Sequence, residues 1–188
     1  MVRRVCCAYP LSSKARRVQD LRQLAALLRR NASQEKETVE LQVRPISPTE
    51  LDQLLLLYRH LHSADEPLPD ALTLRSVWNE LITDPRHIVF GGYRDGELVS
   101  SCALTVIPNL TRGCRAYGVV ENVVTHSAHR GNGYGKAVLR EALASSWSAG
   151  CYKVMLLTGR KDKATVQFYE SAGFDGQEKL AFIARPGR

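Results

Sequence analysis

Residues 130–136, Arg-Gly-Asn-Gly-Tyr-Gly-Lys, combine three glycines, a permanent cation and the start of a helical pattern in one short turn. The run before the turn, 119–125, is rich in β-branched residues, which favour strands. The apolar spacing from Tyr134 to Trp147 is that of an amphipathic helix. A glycine-rich turn into a helix leaves amides free at the positive end of the helix dipole. The turn therefore predicts a site for a phosphate or pyrophosphate, to which Arg130 adds a guanidinium with bidentate geometry.

Two well-known phosphate loops do not fit this turn. A Walker A loop ending at residues 135–136 needs a glycine where Arg130 stands and Ser or Thr where Ala137 stands. The Rossmann spacing, Gly-x-Gly-x-x-Gly, fails from Gly131 and also from Gly133. The pattern that fits is Arg-x-x-Gly-x-Gly. The alternative is a tight strand-to-helix turn that binds no ligand.

A second motif lies downstream, after a glycine stop at Gly150 and an apolar strand at 152–158. It reads Phe-Tyr-Glu-Ser-Ala-Gly-Phe over residues 168–174, on a short predicted helix. The two motifs, in this order and at this separation, resemble the GNAT superfamily of N-acetyltransferases. The resemblance extends over about residues 38–185 and is specific only after about Tyr117.

The resemblance implies acetyl-coenzyme A (acetyl-CoA) as the co-substrate. In this superfamily the fourth strand splays away from the fifth and pairs with the pantetheine arm, and the glycine turn grips the pyrophosphate. Asp162 stands where many members carry asparagine. The histidines lack metal-ligand spacing, so no metal is expected. The cofactor-binding residues implied by the resemblance are Val123, Val124, Thr125, Arg130, Gly131, Asn132, Gly133, Tyr134, Gly135, Lys136 and Asp162.

Two residues are expected to carry the proton chemistry. Attack on a thioester needs a neutral amine, and a free amine with a pKa of about 10 is mostly protonated at neutral pH. Glu121, inside the apolar fourth strand, is the candidate base; alternatively it faces solvent or joins a buried salt bridge. Alternation along the strand predicts that Asn122 faces the opposite way. The resemblance implies that Tyr169 protonates the departing thiolate, and a purely structural tyrosine is the alternative.

The predicted function is acetyl transfer to a primary amine of a small molecule. Acetylation of a protein α-amine or lysine is one alternative, and a non-catalytic acyl-CoA-binding sensor is another. The loop at 60–70 is expected to shape the acceptor pocket. Its acids Asp65, Glu66 and Asp70 either attract a cationic amine or are simply solvated.

Some residues are similar to one branch of the superfamily, the glucosamine-6-phosphate N-acetyltransferases. These are Glu121, Asp162 and the run Gly-Cys-Tyr-Lys at 150–153. Asn122 departs from that branch, which usually has aspartate after the strand glutamate. An amino sugar is therefore one candidate acceptor.

The net charge of +7 belongs mostly to the N-terminal end of the chain. Residues 1–37 carry a balance of +6, which leaves +1 for the remaining residues. The predicted catalytic domain, 38–188, is therefore near neutral, and nucleic acid is not expected as its partner. The basic extension, 1–37, has helical apolar spacing, and an added helix, a transit peptide or a segment with little structure are its alternatives.

Cysteine usage and hydropathy indicate the compartment. No apolar run approaches the length needed to cross a bilayer, so no membrane partner is expected. Scattered cysteines predict free thiols in a reducing, cytoplasmic compartment. Such folds are commonly homodimers, which makes a homodimer possible here. The five cysteines are Cys6, Cys7, Cys102, Cys114 and Cys151.

The elements that must position these residues alternate between strands and helices, which predicts a mixed α/β (α+β) class. Asp95-Gly96 is a strong hairpin signal between two of the strands. The resemblance implies a mixed, mostly antiparallel central sheet of six to seven strands flanked by about four helices. The predicted strands lie at 38–46, 86–93, 97–107, 117–125 and 152–158 and after the last helix, and the predicted helices begin at 48, 72, 134 and shortly before 168.

Overall fold

The computed structural model describes residues 40–61 and 65–187. The predicted extension, 1–37, lies outside the described residues. The strands are β1 (Gln42–Pro45), β2 (His87–Arg94), β3 (Glu97–Ile107), β4 (Tyr117–Thr125) and β5 (Val154–Leu156). They form one sheet in the order β1-β2-β3-β4-β5. Neighbours are antiparallel from β1 to β4, and β5 lies parallel to β4.

Four helices accompany the sheet in the described residues: α1 (Leu51–Tyr58), α2 (Ala71–Thr83), α3 (Tyr134–Ser148) and α4 (Lys163–Ser171). A one-turn helix, Thr111–Cys114, also lies between β3 and β4. In the described parts of the chain, no helix has both the length and the apolar character that crossing a bilayer requires.

The hairpin between β2 and β3 forms where the sequence predicts it. Asp95 has a φ of 52° and Gly96 a φ of 79°, and both lie between the paired residues Arg94 and Glu97. Two positive φ angles in a two-residue loop match the right-handed twist of the flanking strands. The hairpin fixes the register of β3, which in turn pairs with β4.

Two apolar clusters pack the helices on the sheet. In the first, Leu54, Leu57 and Trp78 of α1 and α2 pack with Val89 and Tyr93 of β2. The second is built around α3 and includes the strand residues Cys102, Leu104 and Val120 with the helix residues Val138, Leu139 and Ala142. Since β3 and β4 contribute to both clusters, helices on both sides hold the end of β4 in place.

The predicted class and the mostly antiparallel sheet are confirmed, but the count of six to seven strands is wrong for the described residues, which form five. No strand follows α4 within residues 175–187. The apolar run there leaves Leu180 and Phe182 exposed by 86% and 90%. A strand needs the backbone groups of a neighbour, and an apolar run in a sequence does not reveal whether that neighbour is present.

Candidate active site

Strand β4 continues beyond its parallel partner. Residues 118–120 of β4 pair with residues 154–156 of β5, and the pairing ends there. From 121 to 125, no strand of the described residues lies beside the edge of β4 on the β5 side, while the opposite edge remains paired with β3. The N–H and C=O groups of a free edge can pair with an extended ligand as with an added strand. The pairing of residues 123–125 with a pantetheine arm stays a prediction.

A β-bulge interrupts β4 at Asn122. The register against β3 shifts so that Asn122 and Val123 lie opposite Cys102 alone. Asn122 has a φ of 53°, a left-handed conformation that costs a residue other than glycine about 1 kcal/mol. The predicted alternation is therefore wrong at this point, because Glu121 and Asn122 are both exposed. The bulge presents the Glu121 carboxylate at the start of the free edge.

The exposure of Glu121 removes one of its alternatives. Glu121 forms no ion pair among the described residues, so it is not part of a buried salt bridge. A solvated carboxylate has free lone pairs and can accept a proton directly or through water.

The glycine turn leaves its amides available. Gly131 and Gly133 have φ angles of 81° and 80°, which favour glycine. Helix α3 begins at Tyr134, and the first backbone bond at its start runs from the amide of Ala137 to the carbonyl of Gly133. Among the described residues, no amide from 131 to 136 donates to another protein group. A Cβ on Gly131 or Gly133 would meet no heavy atom within 4 Å, so the turn opens onto space that a ligand can fill.

Gly135 has a packing role. A Cβ at this position would lie 3.0 Å from Thr125 Oγ1 and 3.1 Å from Phe168 Cζ. Both distances are tight for a carbon contact, so a larger side chain would push α3 away from the end of β4 and from α4. The glycine thus lets the start of α3 lie close to the end of β4 and to helix α4.

Side chains of the turn also hold it together. Asn132 Nδ2 donates to the carbonyls of His129 and Arg130, at 3.1 and 3.4 Å. Arg130 Nε donates to the carbonyl of Thr125 at 3.3 Å, and its Nη2 donates to the carbonyl of His60 at 3.1 Å. The guanidinium expected at the phosphate is therefore engaged by main-chain oxygens, with its remaining N–H groups available to an anion.

Tyr169 lies on α4, half-buried between two aromatic rings. Its ring centroid is 4.9 Å from that of Phe168 and 6.3 Å from that of Phe174. Burial raises the pKa of Tyr169, the nearby Arg160 lowers it, and the charge of Glu121 raises it again, with a net upward shift. The hydroxyl therefore keeps its proton at neutral pH. Joint action of Glu121 and Tyr169 stays a prediction.

Asp162 caps helix α4. Its carboxylate accepts hydrogen bonds from the Thr165 amide at 3.0 Å, the Thr165 hydroxyl at 2.9 Å and Arg160 Nε at 3.1 Å. The bonds from Thr165, more than that from Arg160, lower the pKa of this carboxyl. Asp162 and Thr165 thus act as a pair that starts the helix carrying Tyr169. Contact of Asp162 with a cofactor stays a prediction.

Sequence reasoning missed Tyr58, the last residue of α1. Burial raises its pKa to about 12, and the side chain of Asn122 partly offsets this shift through a hydrogen bond. Tyr58 therefore packs on the bulge of β4, next to Glu121. Its only signal in the sequence is its place at the end of an apolar helix, because the contact depends on a bulge that alternation does not predict.

The expected acceptor loop has divided roles. The carboxylate of Asp70 accepts hydrogen bonds from the amides of Leu72 and Thr73, so it caps α2. Asp65 and Glu66 instead line a cavity of about 560 Å³ beside α1. The described residues contain no cluster of histidine, cysteine and carboxylate groups that could hold a metal.

Known proteins resemble this chain in sequence and in structure. Residues 51–174 match the acetyltransferase (GNAT) family. A glucosamine 6-phosphate N-acetyltransferase from Trypanosoma brucei brucei is 34% identical over 149 residues, covering 76% of this chain and 95% of the relative. Glucosamine 6-phosphate N-acetyltransferase 1 from Oryza sativa subsp. japonica is 29% identical over 140 residues, covering 70% and 79%. A solved structure from Agrobacterium tumefaciens str. C58, described as an acetyltransferase, is 42% identical with a TM-score of 0.72 and covers 77% of this chain and 99% of that one.

Proposed function

Because the chain belongs to the GNAT family of N-acetyltransferases, we propose that it transfers an acetyl group from acetyl-CoA to the amine of a small molecule, glucosamine 6-phosphate being the acceptor to test first. The observation that carries this proposal is the free edge of β4, residues 121–125, leading into a turn whose amides are unoccupied by other described groups. The acceptor follows from the relatives in the trypanosome and rice, whose names state that sugar phosphate.

The residues present fit an elongated, anionic thioester. The free edge at 123–125 supplies alternating N–H and C=O groups for an amide-containing arm. Gly131 and Gly133 open the turn for a pyrophosphate, and the amides at the start of α3 point their donors at it. When bound, acetyl-CoA supplies an activated acetyl group to an attacking amine. Binding, orientation and proton transfer remain the work of the protein.

Glu121 is the proposed base. The acceptor ammonium must lose a proton before its nitrogen can attack, and the exposed carboxylate at the bulge accepts that proton directly or through one water. The bulge matters because it places this carboxylate beside the free edge, where the thioester would lie. With an apolar residue at 121, no carboxylate beside the free edge would accept the proton that the acceptor ammonium must lose.

Tyr169 is the proposed acid. As the new C–N bond forms and the C–S bond breaks, the sulfur leaves with a negative charge and gains a proton from the tyrosine hydroxyl. Burial keeps that hydroxyl protonated beforehand, because it raises the pKa of Tyr169. The proton taken up at Glu121 and the proton released at Tyr169 balance once both groups exchange with solvent.

An acceptor screen tests the proposal. The wild-type protein is mixed with acetyl-CoA and single amines, and free thiol release is followed with glucosamine 6-phosphate, glucosamine, other small amines, and peptides carrying an α-amine or a lysine. We expect glucosamine 6-phosphate to give the highest kcat/KM. A preference for peptides would instead favour a protein acetyltransferase. Tight acetyl-CoA binding without transfer to any amine would favour the acyl-CoA-binding sensor.

A further inference from the structure

Arg130 joins two parts of the molecule that lie far apart in the sequence. Its Nε donates to the carbonyl of Thr125 at the end of β4, and its Nη2 donates to the carbonyl of His60, just beyond the end of α1. Both acceptors are main-chain oxygens. These two bonds therefore depend on the position of the backbone at residues 60 and 125 and not on the side chains there.

The bond to His60 satisfies a helix end. The turn after α1 is closed by bonds from the His60 amide to Leu57 and from the Leu61 amide to Tyr58. Carbonyls at a helix C-terminus lack partners within the helix and carry partial negative charge. A guanidinium placed there both caps a carbonyl and complements the helix dipole. The fork geometry of arginine lets one side chain serve both carbonyls, which lysine cannot do.

A second contact joins the same two segments. The imidazole rings of His60 and His126 lie 4.1 Å apart between centroids. Burial lowers the pKa of His60, and the nearby His126 and Arg130 lower it further, so the ring is mostly neutral at pH 7. Two independent contacts thus attach the end of α1 to the segment between β4 and the glycine turn.

The attached helix end reaches the catalytic strand. Tyr58 is the last residue of α1, and its half-buried side chain lies within hydrogen-bonding reach of Asn122 at the bulge, next to Glu121. Asp65 and Glu66, on the chain after α1, share a cavity with Tyr58 and Arg59. A shift of the end of α1 would therefore move the acceptor side of the site.

We propose that Arg130 is a positioning residue that fastens the end of α1 to the acetyl-CoA turn and thereby sets the geometry of the acceptor side. Arg130 then has a second role besides any contact with pyrophosphate. Lys136 provides a matched comparison, because it lies in the same turn and its side chain bonds to no described residue of α1. The expected effect of Arg130 on the acceptor KM rests on the function proposed above, whereas the attachment of α1 to the turn through Arg130 does not.

Three variants separate the two roles: Arg130→Met and Lys136→Met, which each remove one charge, and Arg130→Lys, which keeps the charge and loses the fork. Hydrogen–deuterium exchange is measured on peptides that contain the amides of His60 and Leu61. We expect both Arg130 variants to raise exchange there by about five- to tenfold, as loss of one solvent-exposed hydrogen bond implies, and Lys136→Met to leave it unchanged. Unchanged exchange in both Arg130 variants would overturn the proposal, whether or not the protein acetylates any amine.

Steady-state kinetics with glucosamine 6-phosphate then tests the consequence for catalysis. At saturating acetyl-CoA, both Arg130 variants should raise the acceptor KM by about five- to tenfold. Lys136→Met should raise the KM for acetyl-CoA alone. If Arg130→Met and Lys136→Met behave alike, with only the acetyl-CoA KM changed, Arg130 is a phosphate ligand and does not position the acceptor side. If no amine is acetylated by the wild type, the proposed function fails while the exchange result still decides the fastening.

Discussion

Glu121 and Tyr169 each fit a structural role as well as a catalytic one, and the residue type alone does not distinguish the two roles. Glu121 is a solvated carboxylate, a common surface feature, and it becomes a candidate base only because a bulge places it beside a free strand edge. Tyr169 packs as a core aromatic and also keeps a proton, since burial raises its pKa. The prediction that these two residues act together came from the resemblance. That joint role stays a prediction.

Replacement of Tyr169 by phenylalanine tests the acid role. Tyr169→Phe keeps the ring contacts with Phe168 and Phe174 and removes the hydroxyl. We expect kcat to fall by about 100- to 10,000-fold, because general acid catalysis contributes about that much, while acetyl-CoA affinity stays nearly constant. The measurement is kcat under saturating substrates together with calorimetric binding of acetyl-CoA.

Tyr152→Phe is a suitable control for the tyrosine variant. Tyr152 packs against Tyr117 near the start of β4, away from the glycine turn, so loss of its hydroxyl should not change kcat. An unaltered kcat for Tyr169→Phe would assign the proton to another group.

At the scale of elements, short polar contacts determine where the helices of the site begin. Helix α4 starts at Asp162 because its carboxylate satisfies the Thr165 amide and hydroxyl. Helix α3 starts after a glycine in the left-handed region, and this leaves its first amides for a ligand. At the start of α4, therefore, a backbone amide is bound by a side chain of the protein, whereas the amides at the start of α3 remain available to a ligand.

Variants of Asp162 distinguish a cap from a cofactor ligand. Asp162→Ala removes the cap of α4 and should lower the free energy of unfolding by about 1 kcal/mol. Asp162→Asn keeps an acceptor oxygen for the Thr165 amide and should stay within about 0.5 kcal/mol of the wild type. Urea denaturation and acetyl-CoA titration are compared for both. Lower acetyl-CoA affinity in Asp162→Asn, with stability unchanged, would make Asp162 a cofactor ligand in its own right.

The sequence predicted some elements closely because their signals are local. Asp95-Gly96 predicts a hairpin through its own backbone preferences, and the bounds of β4 follow from a run of β-branched residues flanked by polar ones. The bulge at Asn122 was not predicted. The residues around it form a regular strand pattern, and none of them indicates that two residues of β4 lie opposite a single residue of β3. The bond from Arg130 to His60 was missed for a similar reason, since its partners are 70 positions apart.

At the scale of the whole molecule, one polar network joins the segment between β1 and α1 to the first two strands of the sheet. Glu50 accepts hydrogen bonds from Arg44 at 2.9 and 2.7 Å, from the Ser47 amide at 2.7 Å and from the Tyr93 hydroxyl at 3.0 Å. The guanidinium of Arg44 also stacks on the ring of Tyr93, 3.8 Å from its centroid. Hydrogen bonding from Arg44, more than any other contact, lowers the pKa of Glu50 to about 2. The network therefore contributes stability only while Glu50 is ionised.

This predicts how stability depends on pH. The folded pKa of Glu50, about 2, lies below the ordinary value of 4.5, so its contribution is complete above pH 4.5 and is lost as the pH falls toward 2. Glu50→Gln should lower the free energy of unfolding by about 2 kcal/mol at pH 7, and the difference from the wild type should shrink below pH 4. Urea denaturation across this range provides the measurement.

Glu80→Gln serves as the control for Glu50, because Glu80 is exposed on α2 and its carboxylate forms no ion pair among the described residues. It should change stability little at either pH. A deficit for Glu50→Gln that stays constant down to pH 2 would show that the charge of Glu50 is not what stabilises the network.

The number of strands and the number of subunits also belong to this scale. The sequence predicts a strand after the last helix, but the apolar run there forms none within residues 175–187 and leaves Leu180 and Phe182 exposed. A strand is a property of two neighbouring segments, and the sequence gives the pattern of only one.

The possible homodimer stays a prediction, which sedimentation velocity on the full chain would test.

Calorimetric titration with acetyl-CoA decides whether the glycine turn is the cofactor site. Gly133→Glu places a carboxylate in the space that the turn leaves open, whereas Gly133→Ala imposes similar strain at a φ of 80° without adding charge. We predict that the alanine variant loses no more than about tenfold in affinity and the glutamate variant at least about a hundredfold, because its carboxylate repels the pyrophosphate. Equal affinity in the wild type and Gly133→Glu would show that acetyl-CoA does not bind at this turn.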